Sequence, residues 1–172
     1  MHYGWTLVAA ALLLQGAVST AASEEASIGS ASSVKNRVEG TVRGSTQSLS
    51  TGSAVYSNEL VRTGQESTAE LGFVDSTKLS VGPTSEVKLD KFVYDPSKRA
   101  GAVALKATRG SLRFVTGVQD HDNYSIKTPY ATLGVRGTVL EIVVRPGRTQ
   151  ASRAGRTAGG EPRAGVNLHH AI

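Results

Sequence analysis

Short apolar runs with a period of two recur through most of this 172-residue chain, each closed by a turn signal, and that pattern limits the fold more than any other feature. In "AELGFV" Ala69, Leu71 and Phe73 share one side; "TKLSV" adds Leu79 and Val81, and "SEVKLD" adds Val87 and Leu89. "AVALKA", "SLRFV", "YSI" and "TVLEIVV" continue the series. Such alternation marks strands with one buried face. Between the runs stand Asp75-Ser76, Gly82-Pro83, Asp95-Pro96, Arg109-Gly110, Thr116-Gly117 and Thr128-Pro129. In these turn or strand-end pairs Gly supplies positive φ and Pro presets φ near −65°. Aromatics are few and no long amphipathic run is present. The expected fold is all-β: a compact irregular β-sandwich or roll, or a solenoid-like unit, with disordered termini. The lack of a strict repeat favours a compact unit over a long β-helix.

The two ends read differently from the middle. Residues 1–22 have the layout of a secretory signal peptide: an apolar run from Trp5 to Leu14, then small residues up to Ala22, although the first residues hold no Lys or Arg. The run is shorter than the roughly 18 to 20 residues a spanning helix needs. Residues 23–33, "SEEASIGSASS", read as a flexible lead-in, and residues 34–144 as the β domain. From Arg145 the texture becomes rich in Arg, Ala and Gly, and residues 145–172 are expected to be a disordered tail. The competing reading is an arm for anionic lipid or polysaccharide. Five arginines against the single Glu161 place most of the net charge of +5 in this tail, so the rest is near neutral. No basic stripe interleaved with aromatics marks a nucleic-acid face. Cysteine is absent, which removes disulfides and thiolate metal sites and leaves stability to packing.

Three segments carry a resemblance. "VRTGQESTAELGFVDSTKLSVGPTSEVKLDKFVYDP" (61–96) contains an Arg-Thr-Gly turn, an alternating strand, an Asp-x-Thr turn and a Gly-Pro-x-Ser turn. "KATRGSLRFVTG" (106–117) and "TPYATLGVRGT" (128–138) follow in the same order. Together they resemble the FecR-domain family of periplasmic regulators. The resemblance implies a periplasmic β domain that senses or docks, and it marks Asp75, Thr77, Thr128, Pro129, Gly134, Arg136, Gly137 and Thr138 as motif positions. Two departures stand out. Ser76 replaces the family's usual Gly, which questions whether that turn needs positive φ. The strands expected after the Arg-Gly-Thr signature look replaced by the Arg-rich tail, as in a truncated or frame-shifted end. The domain also follows the leader directly, without room for the cytoplasmic sigma-regulating segment of ferric citrate regulators.

Among single residues, Arg136 lies in an apolar context and needs a partner, because removing one member of a buried ion pair costs about 3 to 5 kcal/mol. Asp75 is the candidate partner, making Arg136 a structural staple, with Gly134 and Gly137 letting the chain bend on either side. Arg113 points away from Leu112 and Phe114 and is a candidate contact, though a solvated strand residue is the simpler reading. "QDHDNY" places Asp120, His121, Asp122 and Asn123 in what reads as a polar hairpin tip; it lacks the Gly and later Glu of a calcium loop, so no metal and no cofactor are implied. No nucleophile elbow, zinc-protease or phosphate-loop motif occurs, and His121 is the sole credible base away from the chain ends. The expectation is a non-enzymatic, periplasmic or secreted bacterial module whose partner is an envelope protein, a receptor or signalling element, met through edge strands. A structural or glycan-binding envelope protein is the second class, and a hydrolase the third.

Overall fold

The computed structural model describes residues 26–97, 100–135, 139–153 and 166–168. The expected leader at 1–22 lies outside them, as do Arg136, Gly137 and Thr138. Fourteen strands follow in chain order: β1 Gly29–Lys35, β2 Val38–Val42, β3 Ser45–Ser48, β4 Ala54–Val55, β5 Leu60–Thr63, β6 Thr68–Phe73, β7 Lys78–Val81, β8 Glu86–Asp95, β9 Ala100–Val115, β10 Tyr124–Lys127, β11 Thr132–Gly134, β12 Val139–Arg145, β13 Arg148–Arg153 and β14 Val166–Leu168. The one helical element among the described residues is a 3-10 turn, His121–Asn123. The all-β expectation holds.

A single curled sheet runs in the order β3-β2-β5-β8-β9-β7-β6-β1-β4, and two branches leave it at β9. The first half of β9 lies between β8 and β10; its second half lies between β7 and β12. Every pairing is antiparallel except that of β9 with β10. The two halves of the sheet close over one core as a roll. Phe73 of β6 stacks on Phe92 of β8 at 5.4 Å, and Phe114 of β9 meets Tyr124 of β10 edge-on at 5.6 Å.

β9 can serve both halves because its inward face changes phase. Val103, Leu105 and Ala107 point inward at odd positions; Leu112 and Phe114 do so at even ones. The slip occurs where Glu86 pairs with Arg109 but Val87 with Ala107, so β9 carries an extra residue, and Gly110 sits at φ +97° beside it. Arg109-Gly110 is therefore a bend inside one 16-residue strand and not a break between two. A second slip, between Lys88 and Lys91, moves the inward set of β8 from Val87 and Leu89 to Phe92.

Three readings change. Residues 29–33, placed in a flexible lead-in, begin β1, which is laddered to β6 with Ala31 fully buried. Small polar side chains hid this strand, because its stability comes from the ladder. Residues 145–153, placed in the tail, end β12 and form β13 after a Pro146-Gly147 turn with Gly147 at φ +80°. β13 shows no large apolar alternation; it is held by pairing to β12 and by Thr149, fully buried, whose Oγ1 lies 2.8 Å from Thr128 Oγ1. Strands thus do follow the closing signature, and β14 pairs β13 beyond them. Finally, the segment around His121 is no hairpin tip: it crosses from the end of β9 to β10, which runs parallel to the first half of β9.

The hairpin β10–β11 is stapled to β12–β13. Thr128 Oγ1 lies 2.8 Å from Thr149 Oγ1 and Tyr130 OH accepts from Gly147 N (2.7 Å). A chain ending at Val144 should therefore lose about 2 kcal/mol or more of stability relative to one ending at Arg153. Urea denaturation of the two would show it; equal midpoints would mean that β13 is dispensable.

Candidate functional site

Of the motif positions, Asp75 and Thr77 lie in one buried polar joint and Thr128 bonds to buried Thr149, whereas Pro129 and Gly134 are exposed. The β6–β7 turn places Asp75, fully buried, where its Oδ1 accepts from Thr77 N (2.9 Å). Its Oδ2 accepts from Thr77 Oγ1 (2.8 Å), Gln119 Nε2 (2.8 Å) and Tyr124 OH (3.1 Å). Tyr124 OH in turn accepts from Gly117 N (3.1 Å) and Gln119 N (3.2 Å), while Asp75 O accepts from Val118 N (2.9 Å). A Cβ on Gly117 would overlap the backbone of Asp75 and Thr77, so this approach demands glycine. Burial pushes the Tyr124 phenol upward; the Thr77 hydroxyl opposes this and the neighbouring Asp75 adds to the rise. The phenol stays protonated and serves as a donor. Ser76 adopts φ +67°, so the turn does need positive φ and a serine takes it. That conformation costs a residue with a Cβ about 1 to 2 kcal/mol.

A second joint locks three other turns. Thr63 Oγ1 donates to Gly82 O (2.7 Å) and accepts from Ser85 N (2.9 Å). Ser85 Oγ accepts from Ser111 N (3.1 Å), and Gly82 N donates to Ser111 O (2.8 Å). The Arg-Thr-Gly turn, the Gly-Pro-x-Ser turn and the bend at Gly110 are thereby one unit. A Cβ on Gly110 would strike Ser85, which adds a close-approach demand to its positive φ.

These arrangements hold the chain; they do not present reactive groups. Asp75, Thr77 and Tyr124 are sealed from solvent and spend their polar atoms on one another. Among the described residues no group of three or more His, Cys, Asp or Glu is placed to hold a metal ion. Gly134 ends β11 with no positive φ, and a Cβ there would meet open space, so neither backbone conformation nor close approach demands glycine at this position. Gln119, Tyr124, Thr149 and Glu59 escaped sequence reasoning, since nothing local tells a buried polar residue from an exposed one. Glu59 is fully buried, its Oε2 accepting from Tyr56 N (2.8 Å) while Oε1 has no hydrogen-bond partner and lies where a Cβ of Gly40 would be. Burial raises its pKa, against the opposing Tyr56 N–H.

The exposed features lie elsewhere. Arg113 stands on the outer side of the sheet over an open depression of about 250 Å³ bordered by Ser80, Gly82, Ser111, Glu141 and Val143. At one margin of the sheet, β3 pairs with β2 alone among the described strands, and all four of its residues are exposed. The Arg43-Gly44 turn between them has φ +50° and +82°, as a two-residue type I′ hairpin requires.

The family model described as FecR protein matches residues 59–154, from the start of β5 through β13. The chain belongs to the FecR family. No curated protein and no solved structure matches it. The matched range takes in both polar joints, so Asp75, Thr77, Thr63, Gly82 and Ser85 of the motifs are residues that bind one turn to another. The family is regulatory and points to signalling at the cell envelope through protein contacts. No helix among the described residues is long and apolar enough to cross a membrane.

Asp75→Asn turns an acceptor-only group toward four donors and should cost about 3 kcal/mol or more, read as a lowered urea midpoint; a shift within about 0.5 kcal/mol would show that the joint does not support the fold. Glu59 offers a pH test. Its folded pKa is raised, so stability tied to the neutral acid is present below the unfolded pKa and is lost as pH rises through the folded one. Glu59→Gln should therefore gain on the wild type as pH rises above the ordinary carboxylate value of 4.5. A difference that does not change with pH would contradict this.

Proposed function

We propose that the chain is an exported, non-enzymatic FecR module acting in the periplasm as a docking or sensing element, and that an envelope protein, a receptor or signalling partner, adds a strand to the open side of β3. The exposed edge of Ser45–Ser48 is the observation that carries this reading. An edge strand offers unpaired backbone groups to an extended segment. In a type I′ hairpin the residues flanking the turn, Val42 and Ser45, exchange ladder bonds, so Gln47 N–H also faces β2 while Thr46 and Ser48 N–H point away from it. The hydroxyls and amide of Ser45, Thr46, Gln47 and Ser48 give this edge a polar, uncharged character. Such an edge resists self-pairing less than a lysine-guarded one would, which suits a surface meant to be paired.

The polar groups of Asp75, Thr77, Thr63, Ser85 and Thr128 are consumed inside the joints, which supports a binding role over catalysis. No cofactor enters this reading. Arg136 serves the fold in it, as a further partner for the Asp75 carboxylate, and residues 1–22 serve export.

Ser48→Pro deletes an outward N–H and leaves the ladder to β2 intact. With a photo-crosslinking residue at Gln47 in living cells, the parent should yield one discrete adduct with an envelope protein, and Ser48→Pro should reduce it about tenfold, the loss expected if one or two backbone hydrogen bonds are broken. Ser48→Ala should leave it unchanged. An adduct equally strong in Ser48→Pro, with both variants folded by urea titration, would rule out strand addition at β3.

A further inference from the structure

The outer side of the half-sheet formed by β2, β5, β8, the first half of β9, β10 and β11 carries more cations than its carboxylates hold. The ladders set Lys88, Lys106 and Lys127 directly beside one another on three neighbouring strands, with Thr132 next to Lys127. Their chain neighbours Val87, Leu89, Leu105, Ala107 and Ile126 are buried, so the three lysines point outward. One row along lie Lys91, Ala104, Ser125 and Gly134, and beyond them Val93 and Ala102. In the opposite direction the next row holds Glu39, Arg62, Glu86 and Arg109.

The acids of this face are already engaged. Glu86 Oε2 holds Arg62 at 2.9 Å and Arg109 at 3.7 Å, Asp90 holds Lys88 at 3.5 Å, and Glu39 holds Arg37 at 2.7 Å. Asp95, at the far end of β8, accepts from Ser97 N (2.9 Å). Asp120 and Asp122 precede β10, at the end opposite Lys127. Lys91, Lys106 and Lys127 are left exposed, with no ion-pair partner among the described residues. Cations set opposite one another on adjacent strands repel and weaken the sheet, so the fold by itself gives no reason for this row.

We propose that this face docks on an anionic lipid bilayer, taking lipid phosphates between the ammonium groups of Lys91, Lys106 and Lys127. Its shape favours a bilayer over a chain-like polyanion. It is the outer side of a roll, and the positions beside the lysines are small (Ala102, Ala104 and Ser125), which leaves a level surface and not a groove. Among the described residues, the outward positions of β8 to β11 include no aromatic ring on which a sugar could stack. A bilayer needs neither groove nor ring: each cation held near its phosphates strengthens binding about fivefold. Val93, 48% exposed in the row beyond the lysines, is placed to enter the headgroup layer. The opposite side of the roll carries cations too, with Arg145 and Arg148 facing each other at one hairpin end, but the two sides point apart and one bilayer cannot meet both. Strand addition at β3 uses an edge and not this outer side, so the failure of either reading leaves the other intact.

Co-sedimentation of the exported chain with vesicles of equimolar phosphatidylglycerol and phosphatidylcholine at low salt tests this. The wild type should partition onto them, stay off vesicles of phosphatidylcholine alone, and be released as salt rises. Lys106→Gln with Lys127→Gln should weaken partitioning by at least about tenfold, and Lys91→Gln by itself by about fivefold. Arg145→Gln with Arg148→Gln, on the opposite side, should leave it within about twofold. The lysine variants should keep urea midpoints no lower than the wild type's, because they remove repulsion between neighbouring strands. No partitioning of the wild type, partitioning that survives the lysine changes, partitioning that falls with the arginine changes, or binding to soluble alginate, an acidic polysaccharide, in place of vesicles would each overturn the proposal.

Discussion

The Asp75 carboxylate, buried at the β6–β7 turn, is the constraint on which much of the roll depends. It gathers donors from Thr77, from Gln119 after β9, and from Tyr124 at the start of β10. A carboxylate out of water is costly unless its lone pairs are filled, so the position of each donor is dictated by that cost. Residues 116–119 must return across the turn for this to happen. With their return fixed, β10 emerges parallel to the first half of β9, the one parallel pairing in an otherwise antiparallel sheet. The carboxylate thus decides a feature of topology as well as contributing hydrogen bonds.

The second joint solves a different problem, that of moving one long strand between two half-sheets. β9 must rotate its inward face by one position, and the extra residue at Thr108 to Gly110 does so at the place where Ser85, Ser111, Thr63 and Gly82 interlock. A bulge leaves backbone groups without ladder partners; here Ser85 Oγ takes the Ser111 N–H. The third joint, Thr128 with Thr149, closes the far side of the roll by tying two hairpins together. Asp75, Thr77, Ser85 and Thr128 anchor these joints with short side chains at or beside turns, where little side-chain entropy remains to be lost.

Once these residues are committed internally, recognition falls to what is left outside. The polar, uncharged edge of β3 and the charged outer face around Arg113 are separate surfaces with different chemistry, one offering backbone groups and the other side chains. This division suits a binding module: a sheet held by internal contacts leaves its outer rows to solvent and partners. Tyr124 shows how strictly the two sets are segregated, since its ring packs on Phe114 while its hydroxyl never leaves the joint.

Much of the fold was legible in the alternation of Ala69, Leu71 and Phe73, of Leu79 and Val81, and of Val103 and Leu105, because burial of one sheet face writes a period of two directly into the chain. The turn residues and the family motifs were legible too, since φ demands and local hydrogen bonds act within a few positions. The phase slip between Leu105 and Leu112 was present in the residues, but its meaning as a bulge in one continuous strand was not. β1 and β13 were missed for one reason: Ser30, Ser32, Ser33, Gln150 and Ser152 carry no hydrophobic signal, and backbone pairing to β6 and β12 holds them. The choice of a roll over a sandwich or solenoid, the burial of Gln119 and Thr149, and the convergence of turns up to 49 residues apart on one carboxylate were decided only by tertiary structure. Local propensity acts along the chain, whereas the cost of an unpaired buried charge is met by whichever donors the fold brings near it.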